Sequence, residues 1–463
     1  MNSGSIYIET YGCQMNLADS EIVLALLEEH GYQRADSPNQ AGIILINTCA
    51  VREHAQEKAI TNISQYRKYK EANHAVRIGV LGCLSKYMGE VLAERLPFLD
   101  WILGPDAYRA LPALLLDSAK GGSVSLRACD SVSLRACDSV NLYENANTKS
   151  YATKIVLNGA EEELYDEILP SRRDAVNAWI TISRGCDNHC TYCVVPSARG
   201  SERSRPAPSI LREVRQTVIE GFPQVTLLGQ NVNSYRYENV DFPRLLTEVS
   251  NVPGVKRIRF LTSHPKDCST ELLKIIGKGL PFCPELHLPI QSGSDRILER
   301  MGRNYTADHY RKLVDQAREL VRDLLLSTDI IVGFPSETEA DFRETERLVS
   351  EIGFDDAFIY RYSERPGTPA ASLPDDVPNE EKIRRLMILN DIVRKSGARR
   401  RLSLIGRTLP VLVESRSKKN PDEMMGRTPA GQVVVFPGNQ SPGTEVRVRL
   451  AKLSGFTLRG KVV

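Results

Sequence analysis

Nowhere in the 463 residues does an apolar run reach the ~18–20 residues that a membrane-spanning helix needs. The opening Met1-Asn2-Ser3-Gly4-Ser5 has neither the basic start nor the apolar stretch of a secretory signal. No membrane association is therefore expected, and the expected location is cytoplasmic. In that setting ten cysteines read as ligands or buried thiols, not as disulfides. Net charge is also nearly absent, at +2, but it is unevenly spread. Glu380 to Val463 carry 18 Lys and Arg against 7 Asp and Glu, a local +11 that leaves −9 on the remainder. A basic module on an acidic body favours a polyanionic partner, nucleic acid first. With 41% hydrophobic and 25% charged residues the composition is that of a globular protein, and the length exceeds one ordinary core, implying about three domains.

The most informative stretch is Cys186-Asp-Asn-His-Cys190-Thr-Tyr-Cys193, three cysteines at C-x3-C-x2-C spacing after a strand-like Trp179–Ser183 and a loop-making Arg184-Gly185. Thiolates this close can converge on one soft metal centre. A 4Fe–4S cubane held by three cysteines keeps one iron open for an outside ligand, which means chemistry and not electron storage alone. Three buried, inert thiols are another reading, though such thiols rarely cluster this way, and a zinc ion with His189 as fourth ligand is a further one. Against it, His189 is wedged between ligand positions and no second C-x2-C pair lies nearby.

The first ~120 residues alternate strand and helix patterns. Strand-like Ile6–Tyr11 runs into Gly12-Cys13, Gly42–Ile46 ends in Asn47-Thr48-Cys49, and Val76–Leu81 ends in Gly82-Cys83. Between them, Asp19–His30 carries Ile22, Val23, Leu26 and Leu27 on one helical face, and a polar helix runs through Tyr69. A βαβαβ pattern predicts a doubly wound parallel sheet. Each cysteine follows a strand, where open α/β sheets place their ligands, so Cys13, Cys49 and Cys83 are expected to meet there. Such a trio can hold a second cluster with a second open iron; three buried thiols at strand ends are the alternative.

Residues 121–171 read as a linker. Ser123-Val-Ser-Leu-Arg-Ala-Cys-Asp130 recurs unchanged as Ser131–Asp138, a local duplication and not a solenoid, which needs longer units and more copies. No function is assigned to its Cys129 and Cys137. From about Asn177 to Thr368 six further strand–helix units follow, with strands at Trp179–Ser183, Gln224–Leu228, Arg257–Leu261, Glu285–Pro289, Leu325–Val332 and Ala357–Tyr362, and a clear amphipathic helix at Ala307–Arg322. Six units are too few to close an eight-stranded barrel, so a partial (βα)6 barrel is expected, its functional face at the strand carboxyl ends. There lie polar loops, Gly229–Tyr235, Thr262–Pro265, Gln291–Ser294, Gly333–Thr338 and Ser363–Thr368, that suit close approach to a ligand. His264 and His287 are expected to be structural, and Thr338-x-x-Asp341 is also a helix-cap pattern. Residues 380–402 form a basic helix, and the short strands Leu409–Glu414, Gln432–Phe436 and Val446–Leu450 predict a small β-barrel suited to RNA, with Lys418, Lys419, Arg447 and Arg449 as candidate contacts or a solvated face.

On Cys186-x3-Cys190-x2-Cys193 with Tyr192 before the last cysteine, the chain resembles radical S-adenosylmethionine (SAM) enzymes. Its three-part layout resembles their methylthiotransferase family. Thr10-Tyr-Gly-Cys-Gln-Met-Asn16, Asn47-Thr-Cys-Ala-Val-Arg-Glu53 and Gly426-Arg-Thr428 are similar to the tRNA branch of that family, whereas the ribosomal-protein branch typically has Pro-Lys after the first cysteine. The resemblance implies an α/β chain with an N-terminal methylthiotransferase domain (4–120), the linker (121–171), a radical SAM core (172–398) and a C-terminal TRAM domain (399–463). It implies two 4Fe–4S clusters, one on Cys186, Cys190 and Cys193 that binds SAM, and an auxiliary one on Cys13, Cys49 and Cys83 that presents sulfur. A 5′-deoxyadenosyl radical would abstract hydrogen from C2 of N6-(dimethylallyl)adenosine 37 in a tRNA anticodon stem-loop, and methylated sulfur would be inserted there. No side chain is assigned as acid or base, since an aromatic C–H offers no such route and the cofactor supplies the hard step. Tyr192, Gln291, Ser292, Gly293, Ser294, Gly333, Glu337 and Thr338 are the candidate SAM contacts. An electron donor such as flavodoxin or ferredoxin and a sulfur source are implied as partners. Another tRNA adenosine derivative, a ribosomal-protein aspartate, and a non-enzymatic Fe–S or zinc RNA-binding protein are the alternatives. Cys268 and Cys283 receive no role.

Overall fold

The computed structural model describes residues 2–49, 53–119, 141–144, 152–159, 163–172 and 176–463. The octapeptide repeat, with Cys129 and Cys137, lies outside the described residues. The chain divides into two compact units: residues 1–173 with 184–187 and 194–205, and residues 174–183 with 188–193 and 206–463.

The first unit is built on a seven-stranded sheet. Its strands are β1 (Asn2–Tyr11), β2 (Gln33–Arg34), β3 (Ala41–Thr48), β4 (Arg77–Gly82), β5 (Trp101–Leu103), β6 (Asn141–Glu144) and β7 (Ala152–Val156), in the order β2-β1-β3-β4-β5-β7-β6. All neighbours pair in parallel except β6 and β7. Alternation decides the layers. Ile43, Leu45 and Leu81 pack into one apolar cluster with α1 (Gln14–Glu29), while Ile44, Ile46, Ile78 and Val80 pack into another on the opposite face with Leu84, Leu92 and Ala93 of α4 (Cys83–Arg95). This is the doubly wound sheet that the pattern predicts. Within the expected linker, described residues are packed on the sheet: β7 pairs with β5, Tyr165 is buried beside Tyr108, and Arg109 bonds both Glu163 and Glu167. A short strand such as Ala152–Val156 gives too weak a periodic signal to stand out between polar stretches.

In the second unit six parallel strands follow one another around a partial barrel. Asn177–Thr181, Gln224–Leu228 and Arg257–Phe260 form one three-stranded sheet; Glu285–His287, Leu325–Val332 and Asp356–Arg361 form another. A bridge between Ile258 and Phe282 joins them. One large core fills the space between strands and outer helices, including Tyr310, Leu313, Val314 and Ala317 of the helix Ala307–Leu320. That helix starts at Thr306, whose side chain accepts from the His309 amide.

The long basic helix Asn379–Leu402 packs Leu389 and Val393 onto the same core and leads into a closed five-stranded barrel. Three of its strands, Thr408–Arg416, Val433–Pro437 and Glu445–Ser454, were legible as apolar alternations. The other two, Glu423–Arg427 and Thr457–Val462, each carry a glycine and little alternation, and they are tied together by the Arg459–Glu423 ion pair at 2.6 Å. Arg257 and Arg259, at the start of the third strand of the partial barrel, seat the small barrel. Arg257 reaches Glu445 at 2.7 Å and the Arg427 carbonyl at 2.8 Å, and Arg259 reaches the Thr428 carbonyl at 2.9 Å and also binds Glu285.

Candidate metal centres

Sheet register brings the first thiol trio together. Tyr11 lies beside Thr48 and Thr48 beside Gly82, so the carboxyl ends of β1, β3 and β4 are level, with Cys13, Cys49 and Cys83 just beyond them. The glycines before two of these cysteines are required by space. At Gly12 (φ +135°) a Cβ would stand 2.6 Å from Cys49 Cβ, and at Gly82 (φ +94°) it would stand 2.3 Å from Asn47 Oδ1. Behind the thiols, fully buried Asn16 and Asn47 hold each other: Asn16 Nδ2 donates to Asn47 Oδ1 at 2.8 Å, and Asn47 Nδ2 donates to the Asn16 carbonyl at 2.9 Å. This pair gives a physical reason for the asparagines that flank the cysteines in the sequence.

A hydrogen bond from Cys49 pulls the Cys13 thiol, exposed at the strand end, down to about 6, with help from Arg199. Cys83 is buried, which raises its thiol, while Arg199 Nε donates to its sulfur at 3.0 Å. Arg199 sits at the end of the short helix Val195–Arg199, which belongs to the first unit together with Arg184. Both guanidiniums converge on Asp19 of α1, Arg184 at 2.5 Å and Arg199 at 2.8 Å. Burial raises the Asp19 carboxyl, but the two cations outweigh it and hold it below the usual carboxylate range. Among the described residues no three Cys, His, Asp or Glu side chains already enclose an ion-sized site. The donor chemistry nevertheless suits a soft cluster: an acidified thiol, two further thiols and a neighbouring cation.

Of the second trio, Cys186 belongs to the first unit, and Cys190 and Cys193 belong to the second. The Cys186 amide donates to the Gly200 carbonyl at 3.1 Å. Residues 188–193 are stitched in place by the Cys193 amide on the Cys190 carbonyl at 3.1 Å and by the Thr191 amide on the Met301 carbonyl at 3.0 Å. Arg303, nearly buried, donates to Cys190 Sγ at 3.3 Å and to the Pro289 carbonyl at 3.0 Å. Sequence reading named neither Arg199 nor Arg303 as a sulfur partner.

The other candidate residues lie at the barrel mouth, and most are engaged. Tyr192 packs against Ile297, Met301 and Phe334. Gln291 takes φ +71° and pairs with Ile330. The Gly293 amide donates to Thr345 Oγ1 at 2.9 Å, Ser292 Oγ meets the same hydroxyl at 3.3 Å, and Ser294 Oγ donates to Asp341 at 2.7 Å, so this loop is clamped to the helix Glu339–Ile352. Glu337 accepts from the Gly333 amide at 2.5 Å and from Arg385 at 2.7 Å; burial raises its carboxyl above the usual range, against those donors. Thr338 closes a capping box with Asp341. Ser183 Oγ, Gln230 Oε1, Asn231 Oδ1 and Ser263 Oγ, at the ends of the first three strands, are buried without a hydrogen-bond partner among the described residues. A polar ligand such as an amino acid moiety fits that deficit.

His264 is buried and engaged. Burial first, and then Arg303 and Lys266, hold its ring well below its usual range, and its Nδ1 accepts from the Lys266 amide. His287 sits between Ser327 at 2.9 Å and Asp329 at 3.2 Å. Burial pushes Cys268 up to about 12 and raises Cys283 too, so both remain protonated packing residues. Lys418, Lys419, Arg447 and Arg449 are all exposed on the small barrel.

Comparison with known proteins agrees with this layout. Residues 5–104 match the Uncharacterized protein family UPF0004, 180–349 the Radical SAM superfamily and 402–463 the TRAM domain. Among solved structures, the radical S-adenosylmethionine methyltransferase TsrM from Kitasatospora setae superposes with a TM-score of 0.57 at 15% identity, covering 79% of this chain and 77% of its own, which shows likeness of fold. The cobalamin-dependent S-adenosylmethionine radical enzyme OxsB gives 0.53 at 15% identity, with 84% and 56% covered. No described helix is long and apolar enough to cross a membrane. Proteins named tRNA-2-methylthio-N(6)-dimethylallyladenosine synthase are 39% identical in Neisseria gonorrhoeae (strain NCCP11945), over 99% of both chains, and 42% identical in Chlorobium limicola, over 98% of this chain and 97% of that one. With such identity from end to end, the chain belongs to the tRNA-2-methylthio-N(6)-dimethylallyladenosine synthase family of radical SAM methylthiotransferases.

Proposed function

We propose that the protein adds a methylthio group to C2 of N6-(dimethylallyl)adenosine 37 in the anticodon stem-loop of tRNA. The observation that carries this reading is the 39–42% identity to synthases of that name over 97% or more of each chain. The Radical SAM match brings with it one 4Fe–4S cluster and SAM. Cys186, Cys190 and Cys193 hold that cluster, and Tyr192, the Gln291–Ser294 loop, Gly333, Glu337 and Thr338 shape the SAM site. Glu337 and Thr338 act there by fixing the loop, because their side chains are taken by Gly333, Arg385 and Asp341.

Cys13, Cys49 and Cys83 hold a second 4Fe–4S cluster. The acidified Cys13 thiol and the Arg199 contact at Cys83 support that assignment. Together the two clusters and SAM supply one-electron cleavage, hydrogen abstraction and sulfur. This chain's own residues bind, orient and exclude water. The labour divides along the chain: residues 4–120 serve the second cluster, 172–398 the SAM chemistry and 399–463 the RNA, with exposed Lys418, Lys419, Arg447 and Arg449 meeting phosphates. A flavodoxin or ferredoxin serves as reductant in the cytoplasm, and a separate source restores sulfur.

Iron and labile sulfide on anaerobically reconstituted protein test the metal reading. About eight irons per chain, falling to about four in Cys186→Ala/Cys190→Ala/Cys193→Ala, are expected. Four falling to none refutes the second cluster. Mass spectrometry of tRNA from a deletion strain tests the substrate: loss of 2-methylthio-N6-dimethylallyladenosine, with its unthiolated precursor accumulating, is expected, and an unchanged nucleoside profile refutes it.

A further inference from the structure

We propose that Arg199 is a positioning residue of the second cluster: with Asp19 and Arg184 it forms a buried clamp that holds one net positive charge, and hydrogen-bond donors, against the sulfurs around Cys83. This rests on the reading of Cys13, Cys49 and Cys83 as that cluster's ligands. Arg199 is 4% exposed, Arg184 1% and Asp19 fully buried. Arg199 divides its donors, Nε to Cys83 Sγ at 3.0 Å and Nη2 to Asp19 Oδ2 at 2.8 Å. Arg184 binds the other carboxylate oxygen at 2.5 Å and lies over the Tyr165 ring at 4.7 Å.

Two guanidiniums, always protonated, bond the one carboxylate of Asp19, while Asp106, which also acts on Arg184, is paired with Arg203 at 3.2 Å, so the three groups of the clamp carry one positive charge in a dry interior. A structural ion pair is complete with one cation per anion, and a surplus buried cation is costly unless something answers it. The hydrogen bonds give the same imbalance: Arg199 Nη1 and Arg184 Nε and Nη1 are buried without acceptors among the described residues. Of these, Arg199 Nη1 belongs to the guanidinium that touches Cys83 Sγ, and that unmet donor with the surplus charge calls for an anion with acceptor atoms beside it. A cubane in its usual dicationic state, bound by three thiolates, carries one net negative charge and gains another on reduction, and its sulfides accept hydrogen bonds. The clamp therefore matches the oxidised cluster in charge and favours the reduced one, so that it sets the potential upward.

The test uses the full-length chain carrying Cys186→Ala/Cys190→Ala/Cys193→Ala, so that only the second cluster is present, and reads its midpoint potential by electron paramagnetic resonance during a redox titration. Arg199→Gln removes the charge and is expected to shift the midpoint negative, with Arg199→Lys restoring most of the shift. Asp19→Asn leaves two unanswered cations and is expected to shift the midpoint positive. Opposite signs are the signature, because a role limited to packing would move both variants the same way or neither. Shifts of one sign, or none, overturn the proposal. If Arg199→Gln does not fold, Asp19→Asn decides alone, since a fall or an unchanged midpoint there is equally fatal. A parent protein without iron refutes the ligand assignment itself and takes the clamp with it, whereas a parent with four irons and unmoved midpoints refutes only the clamp.

Discussion

Replacing Arg385 by methionine should make the stability of this protein fall with rising pH more steeply than that of the native protein. Arg385 and Glu337 are both buried, and the guanidinium donates to Glu337 Oε2 at 2.7 Å and to the Glu337 carbonyl at 3.0 Å. Glu337 in turn fixes the Gly333 amide at 2.5 Å, and its Oε1 has no partner among the described residues. Removing the cation leaves an unpaired carboxylate in a dry site, a loss of about 3–5 kcal/mol while the charge is forced to stay. Glu337 can escape by taking a proton. Burial already raises its carboxyl in the native protein, against the Gly333 amide and Arg385 that hold it down, and removing Arg385 raises it further.

The sign follows. A carboxyl whose folded value lies above its unfolded one, near 4.3, costs nothing while both states are protonated and progressively destabilises the fold as pH rises past the unfolded value. The Arg385→Met penalty should thus be about 1–2 kcal/mol at pH 5, from lost hydrogen bonds, and about 3–5 kcal/mol at pH 8. At roughly 2 °C per kcal/mol for a unit of this size, Tm should fall by ~2–4 °C at pH 5 and ~6–10 °C at pH 8. Circular dichroism melts at both pH values would measure this, with Glu337→Gln/Arg385→Met as reference, which should lose the difference because glutamine cannot ionise. A penalty equal at the two pH values, or one that persists in the double variant, would refute the reasoning.

Three further outcomes follow from the same barrel mouth and from the seat of the small barrel. Burial raises the Asp341 carboxyl, but donors from Arg296, Thr338 and Ser294 outweigh it and leave it well below the usual range; that stability is present above pH ~4 and lost as pH falls through the folded value. Asp341→Asn should therefore lower Tm at pH 7 and converge with the parent toward pH 3, and a gap constant with pH would count against this. Gly293→Ala would put a Cβ 2.5 Å from Thr345 Cα and 2.9 Å from the Glu344 carbonyl, both helix backbone, so a loss of about 1–3 kcal/mol and weaker SAM binding by calorimetry are expected. Arg259→Ala strips Glu285 and the Thr428 carbonyl of their partner; proteolysis within residues 402–463 should quicken and stem-loop affinity fall, while SAM cleavage without RNA persists.

What the sequence made legible follows from how each feature is encoded. The strands of the doubly wound sheet and of the partial barrel are runs of β-branched and apolar residues long enough to show, and Gln224–Leu228 and Leu325–Val332 lie where they were read. The parallel doubly wound sheet was legible because α/β connections leave few choices, and with it the carboxyl ends that gather Cys13, Cys49 and Cys83; the strand order was not read. The loops Gln291–Ser294 and Gly333–Thr338 were found as polar and glycine-bearing. Their task was not, because whether Thr338 or Ser294 faces a ligand or a helix end depends on where Asp341 lies, and no local spacing states that. Strands β6 and β7 were hidden for a related reason, since a short strand paired at the edge of a distant sheet has no period of its own.

The thiols proposed to gather a metal and the residues proposed to set its charge are encoded at different ranges, and this explains why Arg199 and Asp19 escaped notice. Cys186, Cys190 and Cys193 announce themselves by spacing within eight residues, and Cys13, Cys49 and Cys83 by each following a strand. Arg199 meets Cys83 across 116 positions and Asp19 across 180, and read in place each is an ordinary polar residue of a short helix or a helical turn. Sequence reasoning assigns such residues to the surface, since unpaired they are almost never inside. Only the fold shows that the first unit reclaims residues 184–187 and 194–205, the flanks of the Cys186–Cys193 loop, and buries two of their arginines on one carboxylate. The segment that carries the Cys186–Cys193 motif therefore also supplies a cation beside Cys83. Substitutions at Arg184 and Arg199, close in sequence to one set of thiols, should accordingly be felt at the other.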